Sequence, residues 1–312
     1  MMDPSAPRVL VIGAGRMGMH HVRAILRNQH LVLAGLLERD IDRHADLRHQ
    51  VTCGIGSDLT RLVEQVKPMA AIIATPDDSH LDLSLEALDL GLHLLVEKPL
   101  APTPPSARRL IDHAAHRGRI LRDGLVERYN PAWNVFLEHA PRVGVPRRLE
   151  IARRGRRASH PESGILLDLA IHDLDLLHLW LQGLPLDLQP QVSTDGNFAC
   201  LSAEHPSFPI HLEFAWESPT TERRWRLEGN AGRLDVDLGK KSATFTPSGG
   251  TNEFIPVPIS DALESEHQAF RNAILLNRPE PRALQRHLEI LSLLTRAGTK
   301  IGPKRAGESN FV

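Results

Sequence analysis

The stretch Val9-Leu-Val-Ile-Gly13-Ala-Gly15-Arg16-Met17-Gly18 joins a short apolar run to a G-x-G-x-x-G turn. Arg8–Ile12 reads as a buried strand, and Arg16–Arg27 has helical periodicity. In a strand–turn–helix unit Gly13 permits the tight turn, Gly15 lets backbone approach a pyrophosphate, and Gly18 lets helix lie against strand. Arg16 and Met17 open the helix, whose free N–H groups and positive dipole end suit phosphate. Glu38 ends the next apolar run, where a carboxylate can accept both ribose hydroxyls of an adenosine. Its charge repels a 2′-phosphate and so favours NAD. The adjacent Arg39, able to clamp that phosphate, keeps NADP open.

Working outward, apolar runs at Leu31–Leu37, Met69–Ala74 and Leu92–Glu97 alternate with helical stretches at Asp58–Val66, Asp78–Leu90 and Pro104–Arg117. That rhythm predicts a parallel sheet covered on both faces. From about residue 124 it changes. A helix over Pro131–His139 leads to a strand over Arg147–Arg153 and an apolar helix over Gly164–Leu181. Alternating, turn-punctuated segments follow from 190 to 257, then helices over Ala262–Leu276 and Arg282–Ala297. The expected fold is an α/β Rossmann dinucleotide-binding domain (1–123) followed by an α+β domain (124–312) with a mainly antiparallel open sheet. The last helices are expected to pack back on the first domain.

Composition excludes several classes. The chain has 312 residues, 41% hydrophobic, with 37 basic and 38 acidic side chains. That balance gives no general pull towards nucleic acid or membrane, and 4% aromatic residues are too few for a base-stacking platform. Cys53 and Cys200 lack metal or disulfide spacing. No signal peptide or membrane-length apolar run is evident, so a cytoplasmic location is expected. Only six of the basic residues are lysines, which gives each lysine weight and makes arginine clusters cheap.

One of those lysines lies in Leu94-Leu-Val-Glu97-Lys98-Pro99, at a strand end on the ligand-binding edge of such a sheet. A lysine held there beside a carboxylate can polarise a hydroxyl or carbonyl oxygen. In Asp168-Leu-Ala-Ile-His172-Asp-Leu-Asp175, three polar residues at i, i+4 and i+7 share one face of an apolar helix. Buried polar groups are costly unless partnered or functional, and a carboxylate one turn from a histidine can tune it for proton transfer. An Asp/His pair could also ligate metal, but no third ligand pattern accompanies it, so no metal is expected.

These motifs together resemble the Gfo/Idh/MocA oxidoreductases. Ala74-Thr75-Pro76-Asp77-Asp-Ser-His80 is similar to that family's T-P-N-x-x-H turn, with Asp77 in place of Asn, and Glu97-Lys98-Pro99 to its E-K-P. The resemblance spans essentially the whole chain. It implies that Thr75, Pro76, His80 and Glu97 join the cofactor site, and that Lys98, Asp168 and His172 form the catalytic set. Val126-Glu-Arg128-Tyr129-Asn130-Pro-Ala132 resembles a narrower branch that includes UDP-N-acetylglucosamine 3-dehydrogenases, with Tyr129 where that branch has Phe. This implies that Arg128, Tyr129 and Asn130 face the substrate.

Arg153-Arg154-Gly-Arg-Arg157 follows a strand and leads into the Asp-His helix, so Arg154 and Arg157 are candidates for docking a substrate diphosphate; a solvated basic loop, or an oligomer or nucleic-acid contact, is the alternative. The expected activity is NAD(P)-dependent hydride transfer from a secondary hydroxyl of a sugar or nucleotide-sugar. An inositol or free-hexose dehydrogenase is one alternative, and a non-catalytic nucleotide-sensing regulator on the same fold another. The expected assembly is a homodimer or homotetramer.

Overall fold

A computed structural model describes residues 6–156, 162–185 and 187–298. Its first sheet holds β1 (Arg8–Ile12), β2 (Val32–Leu37), β3 (Gly54–Gly56), β4 (Ala70–Ile73), β5 (His93–Glu97) and β6 (Leu121–Gly124). All neighbours are parallel, in the order β3-β2-β1-β4-β5-β6. The crossovers are helices α1 (Arg16–Asn28), α2 (His44–Arg48), α3 (Leu59–Val66), α4 (His80–Asp89) and α5 (Pro104–His116). Thr103 caps α5, accepting from the Ser106 N–H, and Pro104 occupies the first turn where its missing N–H costs nothing. The strand order reverses between β1 and β4, and a crevice forms there outside the carboxyl ends of the strands.

Helix α6 (Pro131–His139) leads to an eight-stranded sheet in the order β14-β13-β12-β11-β7-β10-β9-β8. Its strands are β7 (Pro146–Arg156), β8 (Gln189–Val192), β9 (Phe198–His205), β10 (Phe208–Ala215), β11 (Glu217–Gly229), β12 (Gly232–Asp237), β13 (Ser242–Pro247) and β14 (Glu253–Ile255). Every pair is antiparallel except β7 with β10. Helix α7 (Ile171–Leu181) and α6 cover one face; Trp133 stacks on Phe136, and Trp225 meets both edge-on, at ring distances near 5 Å. The two last helices, α8 (Ala262–Leu275) and α9 (Pro281–Gly298), return to the first sheet. Phe270 and Ile274 of α8 pack with α1 and β1. Helix α9 puts Leu284, Leu288 and Leu291 into one core and Ile290 and Leu294 into the other.

The structure departs from the sequence reading at two places that shape the site. First, Gly164–Leu181 is not one regular helix: a π-helical turn over Leu166–Ala170 precedes α7. Such wide turns accompany functional positions. Here the turn separates Asp168 from the face that carries Asp175. Second, β7 runs three residues further than expected, so Arg154 as well as Arg153 lies within the strand, and the two point to opposite faces. Arg153 is buried against Asp173 at 2.6 Å and Glu127 at 2.9 Å. Arg154 pairs with Glu213 on the other face. Arg157 lies outside the described residues.

Candidate active site at the end of the parallel sheet

The loop after β1 is built to hold an anion. Gly15 caps α1 with no side chain, which leaves the first-turn N–H groups free for a ligand. A Cβ on Gly18 would collide with the Gly13 carbonyl, so only glycine lets the helix lie this close to the loop. Arg16 is exposed beside this turn, and Met17 is half-buried. The adjoining cavity, about 510 Å³, is lined by Gly13 to Met17, Glu38, Arg39, Thr75 and Pro76 among others. The sequence-predicted cofactor residues of the first two βα units therefore meet in one crevice, which fits a dinucleotide.

Glu38 does not stand alone there. Arg43, in a 3₁₀ turn five residues on, donates to Glu38 Oε2 at 2.6 Å and to the Ala14 carbonyl at 2.8 Å. Sequence reading missed this arginine, because nothing in its local pattern marks it. It holds the carboxylate against the glycine loop. Arg39 is exposed and also lines the cavity. His80 is fully buried, with its ring nitrogens 2.7 Å from the Pro99 carbonyl and 3.0 Å from the Thr75 carbonyl. It ties the Thr75 turn to the Glu97-Lys98-Pro99 turn, and so supports the crevice rather than lining it.

Lys98 follows the last residue of β5. Its Nζ donates to Asp168 Oδ1 at 3.0 Å and to the Asp168 carbonyl at 3.2 Å. Asp168 Oδ2 accepts the indole N–H of Trp216 at 2.8 Å. Trp216 follows β10 at the end of an alternating stretch, and nothing in that pattern marked it as a partner of Asp168, 48 positions away. A residue of the parallel sheet thus meets one from the π turn under the second sheet, 70 positions away. His172 lies in the first turn of α7, half-buried, one turn beyond Asp168.

The segment expected to face substrate is placed differently. Arg128 is bidentate to Asp123 at 2.7 Å and also holds Asp175 at 2.6 and 2.8 Å. Asn130 donates to Glu127 and to the Leu238 carbonyl and caps α6 through the Ala132 N–H. Tyr129 accepts from Arg122 at 2.6 Å, and burial pushes its hydroxyl up to about 12. Their polar atoms bind protein groups because this turn joins the two sheets, and every cross-domain charge there needs a partner. Asp175 belongs to the same network, since Arg286 of α9 reaches it at 2.7 Å. A second cavity, about 580 Å³, lies beyond Met17, with Val126, Asn130, Arg223, Lys240 and Lys241 on its walls.

Burial alone would raise Asp123, but Arg128 and His287 hold it well below the usual carboxylate range. Glu266 goes the other way. It is fully buried, and neither oxygen is hydrogen-bonded among the described residues. Burial, then the nearby Glu97 and Asp123, push it well above that range. A raised folded-state pKa stabilises fully below the unfolded value and loses that contribution as pH rises towards the folded one. Glu266→Gln, which cannot ionise, should therefore gain on the wild type by up to about 1.4 kcal/mol per pH unit above about pH 4.3. Urea unfolding at three pH values checks this; a pH-independent difference contradicts it.

Among the described residues no helix is long and apolar enough to cross a membrane, and no group of three or more His, Cys, Asp or Glu side chains could hold a metal ion. Residues 7–125 match the family model described as "Oxidoreductase family, NAD-binding Rossmann fold". A UDP-N-acetylglucosamine 3-dehydrogenase of Acidithiobacillus ferrooxidans is 31% identical over 287 residues, covering 87% of this chain and 90% of that protein. A solved structure of that enzyme superposes with a TM-score of 0.81 over 95% of this chain and 98% of that one. An inositol 2-dehydrogenase of Saccharopolyspora erythraea is 29% identical, over 56% of this chain and 54% of its own length.

Proposed function

Because the chain belongs to the Gfo/Idh/MocA oxidoreductase family, we propose that it oxidises a secondary ring hydroxyl of a nucleotide-sugar, with UDP-N-acetylglucosamine C3 as the leading candidate. The observation that carries this reading is the Lys98–Asp168 contact just past the carboxyl end of β5, on the same edge of the sheet as the glycine loop. It holds a partly exposed ammonium on a buried carboxylate, so that a sugar hydroxyl meets the cation while Asp168 fixes it from behind.

The glycine loop and α1 N-terminus would hold the pyrophosphate, and Glu38 the adenosine ribose, with NAD preferred and NADP the alternative. When bound, the nicotinamide supplies a hydride acceptor. His172 takes the hydroxyl proton on a ring nitrogen as general base. Lys98, its side chain mostly buried, stabilises the negative charge that develops on the same oxygen. Asp168, fixed by Trp216 and Lys98, keeps the ammonium aimed at that oxygen. Two free thiols, Cys53 and Cys200, suit the reducing cytoplasm. The outer face of the second sheet, with Arg148, Arg154, Glu213 and Arg226, would serve a homodimer or homotetramer.

The comparisons support the nucleotide-sugar because the dehydrogenase acting on one matches along nearly the full length, whereas the inositol enzyme matches over about half. A substrate panel with NAD and NADP, read at 340 nm, tests the assignment. UDP-N-acetylglucosamine with NAD is expected to give the highest kcat/KM. A higher value with myo-inositol or a free hexose refutes that choice of substrate.

A further inference from the structure

Behind the Glu97–Lys98 strand end lies a buried chain of polar groups that take no direct part in the reaction above. Glu97 Oε1 is 2.9 Å from His21 Nε2, and His21 Nδ1 is 2.8 Å from His267 Nε2. Glu97 Oε2 accepts the Lys98 backbone N–H at 3.3 Å. His21 comes from α1 and His267 from α8; both are fully buried, with rings stacked 5.2 Å apart. A Cβ on Gly124, which pairs with Glu97 from β6, would lie 3.0 Å from Glu97 Cα and 3.2 Å from its carboxyl carbon. The neighbouring strand thus leaves space for this one side chain.

Chemistry fixes the direction of the chain. A carboxylate only accepts, so His21 Nε2 carries the hydrogen. Neutral His21 then offers Nδ1 as an acceptor, and His267 Nε2 must donate to it. That leaves His267 Nδ1, buried and without a hydrogen-bond partner among the described residues, as a bare lone pair. An orphaned lone pair is a smaller penalty than an orphaned N–H. Burial, then His21 and His30, hold His267 well below the ordinary histidine range, so it is the neutral ring this arrangement requires. The opposite arrangement, with His21 doubly protonated, would turn His267 around and bury an N–H with no acceptor.

We propose that His21 and His267 are positioning residues that fix the Glu97 carboxylate and, through its bond to the Lys98 backbone, the placement of Lys98 at the reacting hydroxyl. Helix α8, remote in sequence, thereby sets the geometry of the catalytic lysine. The kinetic consequence rests on the dehydrogenase reading above; the hydrogen-bond chain does not.

Full-length protein labelled with ¹⁵N-histidine tests the chain directly at pH 7.5, with His21→Gln and His267→Gln used for assignment. Both rings are expected to carry hydrogen on Nε2 and none on Nδ1. Hydrogen on His267 Nδ1, or on both nitrogens of His21, overturns the proposal whatever the substrate. Kinetics test the consequence, using the best substrate of the panel. His267→Leu should lower kcat by about tenfold or more, with KM for the nucleotide within about threefold. His267→Gln, which keeps an N–H near Nε2, should stay within about threefold of wild type. Equal losses in both variants, or none with leucine, overturn the positioning role. Wild-type protein that turns over nothing in the panel refutes the dehydrogenase reading, and the ring-nitrogen pattern still decides the chain.

Discussion

Lys98→Met is expected to lower kcat by about 10²–10³-fold while nucleotide affinity stays within about twofold. Methionine keeps the length and much of the apolar stem but removes the only charge that Lys98 brings. The side chain is 16% exposed and bonds both Asp168 Oδ1 and the Asp168 carbonyl. An ammonium so enclosed acts through a lower dielectric than water and can stabilise a developing alkoxide strongly. The nucleotide contacts argued above lie on the glycine loop, Glu38 and the Thr75 turn, which this substitution does not touch. Single-turnover kinetics together with nucleotide titration separate the two effects. Wild-type turnover in the variant would remove Lys98 from the chemistry.

Arg128→Met should destabilise the protein by about 3–5 kcal/mol at pH 7, the usual cost of stranding buried charges. Two carboxylates depend on this guanidinium. Among the described residues, Asp123 then retains the side chain of His287 at 3.0 Å, and Asp175 that of Arg286 at 2.7 Å. Asp123, held low in the folded protein, contributes stability that is present above its unfolded pKa of about 3.9 and lost as pH falls below it. The wild type keeps that contribution at pH 4.5, so the deficit of the variant should shrink towards pH 4 because buried carboxylates that have lost Arg128 take up protons there. Urea unfolding at pH 7 and pH 4.5 reads both effects. A loss under about 1 kcal/mol at pH 7 would mean the network is not what joins the two sheets.

What was legible in the sequence was whatever is local. The glycine loop, Glu38 and the Glu97-Lys98-Pro99 turn are set by short spacings, and the parallel sheet by apolar runs between helices. Strand β6 was not legible, because Leu121-Arg122-Asp123-Gly124 reads as polar. It is buried only because Arg122 meets Glu280 and Asp123 meets Arg128 and His287, partners from distant segments. The same reason hid Trp216 and His267, whose partners lie 48 and 246 positions away. Arg128 and Asn130 show the converse. Their motif carried family information, yet their polar atoms went to Asp123, Asp175, Glu127 and the Leu238 carbonyl. Arg153 closes the strand expected over Arg147–Arg153, but its inward turn onto Asp173 depends on a partner 20 positions away that no local pattern marks.

Hydride transfer itself is the claim on which the rest depends, and isotope tracing reads it directly. The best substrate of the panel is deuterated at the carbon bearing the reacting hydroxyl, and the nicotinamide product is analysed by mass spectrometry. The expected result is one deuterium in the reduced cofactor and none from deuterated solvent, with transfer about 10²–10³-fold slower in Lys98→Met. Reduced cofactor without that deuterium, or product formed with none reduced, would contradict the account.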